Sequence, residues 1–472
     1  MLSVIITKIQ NHNTSYILLS KLHYKLSPSL TILLSFIIII IIGTALLHTT
    51  WATETGSISF IDALFTATSA VCVTGLTVVD TGSFFTTFGK IVILCLIQVG
   101  GLGVMTISVG LFRWMGRNIT YKQRSIMQNL FANGPTEHIF DLVKSVLFFT
   151  AMVELVGAGI LILFWIQEFP IRKAIFYGIF HAVSAFCNAG FSFFPDSFVR
   201  YQGNIILNVT VCALIIVGGI GFPVLYDLKL FIKNKRSEIK YRLSINTITV
   251  LITTSILIGI GTLLFAISEK DLLLNNQNFQ LKQLLIPLFQ SITARTAGFN
   301  TVDIGSLRDS TLFLLILLMF IGASPGSCGG GIKTTTAAII VCLGINRIRS
   351  NKRVNLFKKS VPQECIDRST SIVLLAIFFI VLVLFMVLLD SNPTLDVQNG
   401  RRFLQILFET VSAFGTVGLS MGITSSLSPW SKSWIILMMI IGRVGILTFA
   451  YSVLGNNTKN GLVYSEEKLM VG

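Results

Sequence analysis

Four segments of this chain resemble one another: TSAVCVTGL (Thr68–Leu76), VSAFCNAGF (Val183–Phe191), ITARTAGF (Ile292–Phe299) and VSAFGTVGL (Val411–Leu419). Aligned on their shared glycine, they place Gly75, Gly190, Gly298 and Gly418 in one column, 115, 108 and 120 residues apart. Periods of that length exceed those of common solenoids and imply fourfold duplication of a domain-sized unit. Each unit keeps one order. A long apolar run comes first (Leu30–Leu47 in the first unit, Thr370–Leu389 in the last), then a shorter half-apolar stretch (Ser59–Ala70, Arg401–Ala413). The glycine segment follows, and then a second long run (Phe88–Phe112, Trp434–Leu454).

The long runs have bilayer-spanning length, roughly 20 residues, and the stretch before each glycine is too short to cross. Of the whole chain 53% is hydrophobic and 12% charged, against about a quarter charged in a soluble domain. The expected fold class is therefore all-α integral membrane, with eight transmembrane spans and four re-entrant pore helices. Non-helical backbone is tolerated at membrane depth only where it is buried in protein or faces water, so the four units should surround a water-lined axis. The divisions read from the sequence are an N-terminal arm (1–29), repeat 1 (30–124), repeat 2 (125–242), repeat 3 (243–368), repeat 4 (369–455) and a C-terminal tail (456–472).

The net charge is +15, and its placement decides its meaning. Arg113, Arg117, Lys122 and Arg124 form one cluster; Lys229, Lys233, Lys235, Arg236, Lys240 and Arg242 form a second. Arg347, Arg349, Lys352, Arg353, Lys358, Lys359 and Arg368 form a third. These fall at alternate junctions between apolar runs, as the positive-inside rule requires of cytosolic loops, and both termini are expected in the cytosol. The arm, with Lys8, Lys21 and Lys25, is longer and more polar than the basic start of a secretory signal. Nucleic-acid binding would need a basic face on a soluble module, and no such module is legible. The seven cysteines are odd in number, lack a Cys-x-x-Cys and lie mostly in apolar runs, so they read as free thiols.

The glycine segments suit a cation. An ion leaving water needs replacement oxygens, which rings of backbone carbonyls provide. Glycine permits the backbone that aims successive carbonyls at one axis, and the short helix before it turns its negative C-terminal end toward the site. Ser59 with Asp62 has the form of a capping box starting the first such helix. The fourth segment, Thr416-Val417-Gly418, matches the start of the TVGYG filter of K⁺ channels. Its counterparts are Val73-Thr74-Gly75, Asn188-Ala189-Gly190 and Thr296-Ala297-Gly298.

A second column lies in the long runs after the filters: VGGLG (Val99–Gly103), VGGIG (Val217–Gly221) and IGRVG (Ile441–Gly445). Small residues there allow close helix approach in lipid, and Arg443 replaces the second glycine with a charge. The third unit differs. From Thr311 to Arg347 the chain would be roughly 55 Å long as helix at about 1.5 Å per residue, far beyond the ~30 Å hydrocarbon core. The excess coincides with Ser324-Pro325-Gly326-Ser327-Cys328-Gly329-Gly330-Gly331, where proline and glycine disfavour helix. A broken helix with an intramembrane loop is expected. GGGIKT lacks the first glycine and the preceding strand of a phosphate-binding loop.

On the four filters, the GASPGSCGGGIKTTT run (Gly322–Thr336) and the Gly442-Arg443 pair, the chain resembles the KtrB/TrkH/HKT superfamily of K⁺ transporters, most closely its KtrB branch. The resemblance runs from about Leu30 to the end. It implies four membrane-pore-membrane repeats in pseudo-fourfold arrangement around one pore, and Na⁺-dependent uptake of K⁺ across the plasma membrane of a prokaryote. It also implies a homodimer with one pore per subunit and a cytosolic KtrA-like nucleotide-binding ring as partner. By the same resemblance the loop carrying Gly322, Ser324, Gly326, Ser327, Gly329, Gly330, Gly331 and Lys333 lies beneath the filter as a gate, with Arg443 at its level opposing cations.

Glu154 and Glu409 are the acids most suggestive of an active site, because intramembrane acids often mark ion paths or proton relays. Their spacing makes no catalytic pair, and hydrogen bonding near the filters is the preferred reading. His181 aligns with a pore-helix position and has no metal-ligand partner at helical spacing. No enzymatic role is expected. The alternatives are a TrkH/HKT-like K⁺/Na⁺ transporter and, behind it, an alternating-access symporter; broken helices and repeats occur in the latter too, but its repeats are commonly two and inverted.

Overall fold

The computed structural model describes residues 28–103, 139–234, 242–270, 281–350, 353–357, 359–390 and 400–454. The basic cluster at 113–124, the arm through residue 27 and the tail beyond residue 454 lie outside them.

In unit 1, α1 (Pro28–Leu47) is followed by α2 (Phe60–Val71) and α3 (Thr87–Leu102). Unit 2 comprises α4 (Ile139–Trp165), α5 (Ile171–Phe186), α6 (Ile205–Ile220) and α7 (Phe222–Lys233). Unit 3 comprises α8 (Ile245–Ser268), α9 (Leu281–Thr293), α10 (Asp309–Phe320) and α11 (Thr334–Ile348). A hairpin of β1 (Asn355–Leu356) and β2 (Lys359–Ser360) leads to unit 4: α12 (Gln363–Leu388), α13 (Arg402–Gly415), α14 (Pro429–Val444) and α15 (Ile446–Leu454). Helix α12 starts directly after Pro362, ahead of the boundary at 369.

The first helix of each unit is long and apolar enough to cross a membrane. The lipid-facing character is explicit: Ile38, Ile41 and Ile42 on α1, and Leu374, Phe378, Val381 and Phe385 on α12, are exposed. Stripes of that size need an apolar solvent. The short helices α2, α5, α9 and α13 do the opposite, since their C-terminal ends are buried, as in Phe65–Val71 and Phe408–Gly415. Helix α2 begins as the sequence indicates: the Asp62 N–H donates to Ser59 Oγ (3.1 Å) and Ser59 Oγ to Asp62 Oδ2 (2.7 Å).

The ring closes by one repeated contact. The second helix of each unit packs on the pore helix of the next: α3 on α5, α6 on α9, α10 on α13 and, completing the circle, α14 on α2. Helix α15 then lies against α1, so the last and first units also meet at the periphery.

One expectation is corrected. The second runs of units 1 and 4 read as continuous spans, with a break in unit 3 alone. Units 2 and 4 are broken as well, and in unit 1 helix α3 likewise stops at a positive-φ glycine, beyond which the chain lies outside the described residues. Helices α3, α6 and α14 each stop at the last glycine of their motif, with φ of 82° at Gly103, 98° at Gly221 and 92° at Gly445. A helix requires φ near −63°, and only glycine adopts these values without strain. The chain resumes at 95° to its former course between α6 and α7, and at 105° between α14 and α15. In unit 3 the same interruption widens into the loop 321–333, pinned at its neck by a parallel bridge between Ile321 and Ile332. The glycine pattern that reads as close packing is therefore also a set of helix breaks. Close packing holds as well: a Cβ on Gly100, Gly218 or Gly442 would strike the carbonyl of Val71, Phe186 or Phe414, the last turn of the pore helix in the same unit.

Candidate ion pathway

The four aligned glycines meet at the centre. A Cβ built on Gly75 would lie 3.0 Å from Gly190 Cα, one on Gly190 2.9 Å from Gly298 Cα, and one on Gly298 3.2 Å from Gly418 Cα. One on Gly418 would lie 2.9 Å from Gly75 Cα, which closes the ring in sequence order. All four have positive φ, from 69° to 91°, so a side chain here is opposed both by backbone strain and by lack of room.

Each segment carries a second left-handed residue two positions before its glycine: Val73 (φ 56°), Asn188 (59°), Thr296 (75°) and Thr416 (50°). Left-handed backbone is an outlier for the β-branched three. Glycine is the only left-handed signal the sequence advertises, so these positions are not legible from residue type. What holds them is hydrogen bonding back to the pore helix. Val73 N–H donates to Ala70 O (3.2 Å), Asn188 N–H to Ala185 O (3.1 Å) and Thr416 N–H to Ala413 O (3.1 Å). The next residue does likewise: Thr74 N–H to Ser69 O (2.8 Å), Ala189 N–H to Ser184 O (2.7 Å), Ala297 N–H to Thr293 O (2.9 Å) and Val417 N–H to Ser412 O (2.9 Å).

The same four hydroxyl residues tie the filter again through their side chains. Ser69 and Ser412 Oγ accept from Gly75 and Gly418 N–H (both 3.1 Å). Ser184 Oγ donates to Phe191 O (2.9 Å) and Thr293 Oγ1 to Phe299 O (2.6 Å). The sequence carries a signal of this collar: a hydroxyl residue stands six positions before the ring glycine in three segments and five before it in the shorter third. Between units 2 and 3 the Asn188 amide and the Thr296 hydroxyl are joined at 3.2 Å.

Outside the ring opens a vestibule of about 380 Å³, reached by Gly190, Gly298 and Gly418 and lined with Ser192, Asn300, Ser420, Asp80 and Asp303. Beneath the ring lies the loop of unit 3. Gly330 N–H donates to Thr416 Oγ1 (2.9 Å), and a Cβ on Gly329 would overlap Thr296 Oγ1. The loop also hangs from the helix break of unit 2. Ser324 N–H donates to Gly219 O (3.1 Å), Cys328 N–H to Gly218 O (3.3 Å), and Phe222 N–H to Gly326 O (3.0 Å). Within the loop Ser327 Oγ donates to Ser324 O (2.6 Å), and Lys333 Nζ to Gly329 O (2.7 Å). Gly326 and Gly331 have φ of 69° and 68°, and a Cβ on Gly322 would strike Gly330 O.

Arg443 joins three units. Its guanidinium donates through Nη1 to the Cys328 carbonyl in the loop and through Nη2 to the Gly100 carbonyl of α3. Every hydrogen-bond partner given to it among the described residues is a backbone carbonyl. Its guanidinium thus stands on the inner side of the ring of carbonyl-bearing segments.

The two acids are placed apart. Glu154 accepts from Gln98 Nε2 (3.2 Å) and Cys187 Sγ (3.8 Å), behind the end of α5. Glu409, inside α13, accepts from the hydroxyls of Ser420 and Thr424. His181 is buried beside Trp165, with ring centroids 4.8 Å apart.

Four re-entrant segments thus meet in a ring, and the second helices of units 2, 3 and 4 are broken. Residues 5–454 match the TrkH family, described as cation transport protein. The chain belongs to that family. Among similar proteins, the "Ktr system potassium uptake protein B" of Bacillus subtilis is 38% identical over 95% of this chain and 97% of its own. The "Potassium/sodium uptake protein NtpJ" of Enterococcus hirae is 36% identical over 97% of this chain and 100% of its own. The crystal structure of the potassium transporter TrkH from Vibrio parahaemolyticus superposes with a TM-score of 0.66, covering 90% of this chain and 85% of that one at 18% identity. At that identity the likeness is one of fold. It agrees with the TrkH-family ring described above, all-helical and membrane-spanning with re-entrant helices.

Proposed function

We propose that this chain is the K⁺-uptake membrane subunit of a Ktr-type system, one pore per chain. The ion would pass from the vestibule through the ring of Gly75, Gly190, Gly298 and Gly418 to the cytosol. The observation that carries the reading is the closed ring itself: four left-handed glycine segments, each at the buried C-terminal end of a short helix. Successive carbonyls there can replace the water of a monovalent cation without a formal charge, and the four helix ends add a favourable field. The filter ligands are the backbones of Val73, Thr74 and Gly75, Asn188, Ala189 and Gly190, Thr296, Ala297 and Gly298, and Thr416, Val417 and Gly418. K⁺ is cargo, and Na⁺ is a second ion of the cycle, a reading supported by the names of the potassium and potassium/sodium uptake relatives.

The loop from Gly322 to Lys333 and Arg443 act as the inner barrier. The chain lies in the cell membrane of a prokaryote with both termini in the cytosol, as the basic clusters favour. It works as a homodimer under a cytosolic nucleotide-binding ring. Pull-down from native membranes is expected to recover that ring, and full nucleotide-responsive transport by the purified chain alone would refute it. Uptake of isotopic K⁺ or Rb⁺ by a K⁺-transport-deficient cell, with and without Na⁺, tests the function. Growth rescue and channel-like uptake that continues without saturation are expected; no uptake from correctly inserted protein would overturn the reading.

A further inference from the structure

One polar position recurs inside the pore helices and is not used by the pathway. Thr66, His181 and Glu409 stand nine residues before their ring glycines, and Gln290 stands eight before its own in the shorter third segment. All four are buried. Three of them reach across to the strap that leaves the filter. His181 gives Nδ1 to Tyr177 O (2.7 Å) and turns Nε2 toward Ser192 Oγ and the Phe193 N–H (both 3.3 Å). Gln290 Nε2 donates to Thr301 Oγ1 (3.4 Å). Glu409 takes the hydroxyls of Ser420 and Thr424, the latter at 3.1 Å. Thr66 alone turns back on its own helix, to Asp62 O (2.8 Å).

Glu409 makes the most rigid of these braces, because one buried carboxylate holds two hydroxyls. Ser420 Oγ, with its proton given to Glu409, accepts the Gly422 N–H (2.9 Å) and lies 3.0 Å from Thr424 Oγ1. The turn that follows Gly418, which includes the left-handed Gly422 (φ 88°), is thereby fixed to α13. Two hydrogen bonds from one buried side chain limit how far the turn can move, and the filter reading needs carbonyls that keep their spacing and number.

We infer that Glu409 is a positioning residue for ion selectivity: it braces the outer rim of the fourth filter segment through Ser420 and Thr424. The inference rests on the filter reading above. Its effect is mechanical, since the carboxylate is walled from the vestibule by the two hydroxyl residues that line it. A loosened rim lets the Gly418 segment close on a smaller ion.

The experiment measures K⁺ uptake against competing Na⁺ in K⁺-transport-deficient cells, with membrane abundance and detergent monodispersity checked for each variant. Glu409→Ala is expected to lower K⁺-over-Na⁺ discrimination about tenfold, the scale of one lost buried hydrogen bond. Glu409→Gln, which keeps one acceptor and the side chain's shape, should stay within about twofold of the parent on the same scale. Ser420→Ala with Thr424→Val should reproduce the loss with Glu409 intact, and adding Glu409→Ala to that pair should cost nothing further. If Glu409→Ala fails to insert, the Ser420/Thr424 pair decides. Equal damage by Gln and Ala, with the hydroxyl pair unaffected, would show that charge acts and not bracing, and would overturn the inference. Gly418→Ser separates the two levels. If it alters discrimination while the brace variants do not, the brace fails and the filter stands; if it too changes nothing, both fall.

Discussion

The Arg443 guanidinium donates to the carbonyl of Cys328, so the second helix of unit 4 holds the loop of unit 3 beneath the filter. The second bond, to Gly100 O, anchors the same side chain to unit 1. On the proposed route a cation leaving the ring inward would meet both the loop and the Arg443 guanidinium.

Arg443→Ala removes the guanidinium and its hold on the loop at once. Flux is expected to rise about tenfold, which corresponds to ~1.4 kcal/mol off the barrier. Deleting Ser327–Gly330 should raise flux similarly and loosen control by a cytosolic partner. Because the two act on one bonded contact, the combined variant should gain less than the sum of the separate barrier changes. Flux unchanged or lowered in both, with insertion intact, would leave the loop a packing element.

Gly330→Ala probes the seat of the loop without shortening it. The new Cβ would stand 2.6 Å from Thr416 Oγ1 and 2.9 Å from Gly442 O, which forces the loop away from the filter. Increased leak at normal abundance is expected in a liposome flux assay. Gly344, with nothing within 4 Å of its Cβ position, is the control site for the same substitution.

The outer side has its own clasp between the last and first units. Lys432 Nζ lies 2.7 Å from Asp62 Oδ1, with side chains only 10% and 22% exposed. Asp62→Asn should lower stability by about 2 kcal/mol, the cost of weakening a charged hydrogen bond in a half-buried site. Thermal melting in detergent checks it. Adding Lys432→Met, which removes the stranded charge, should recover part of the loss.

Much of this fold is legible in the sequence because its strongest signals are local. Bilayer-length apolar runs, the Ser59–Asp62 cap and the aligned ring glycines each depend on a few neighbouring residues, and the helices and ring follow them. The broken span of unit 3 is legible for the same reason, since Pro325 and its glycines cannot continue a helix. The breaks at Gly221 and Gly445 are not, because one glycine in an apolar run signals packing as readily as a turn. Only the φ of 98° and 92° distinguishes them. The left-handed Val73 and Thr416 are concealed more deeply, as their residue types favour the opposite conformation. Their geometry is imposed by the Ser69 and Ser412 collar and by neighbouring units. The bond from Arg443 to Cys328 joins residues 115 apart, and no local pattern announces its geometry.

The most direct measurement is ion competition at the ring. Gly75, Gly190, Gly298 and Gly418 are replaced singly by serine, and K⁺ uptake is measured against rising Na⁺ in cells lacking other K⁺ uptake. Each serine must adopt a positive φ, at a cost of about 1–3 kcal/mol, with its Cβ within about 3 Å of the adjoining segment. Weaker K⁺ affinity or a lower K⁺-over-Na⁺ ratio is expected at all four positions, although the four segments differ in sequence. Unchanged affinity and selectivity in all four correctly inserted variants would contradict the assignment of this ring as the filter.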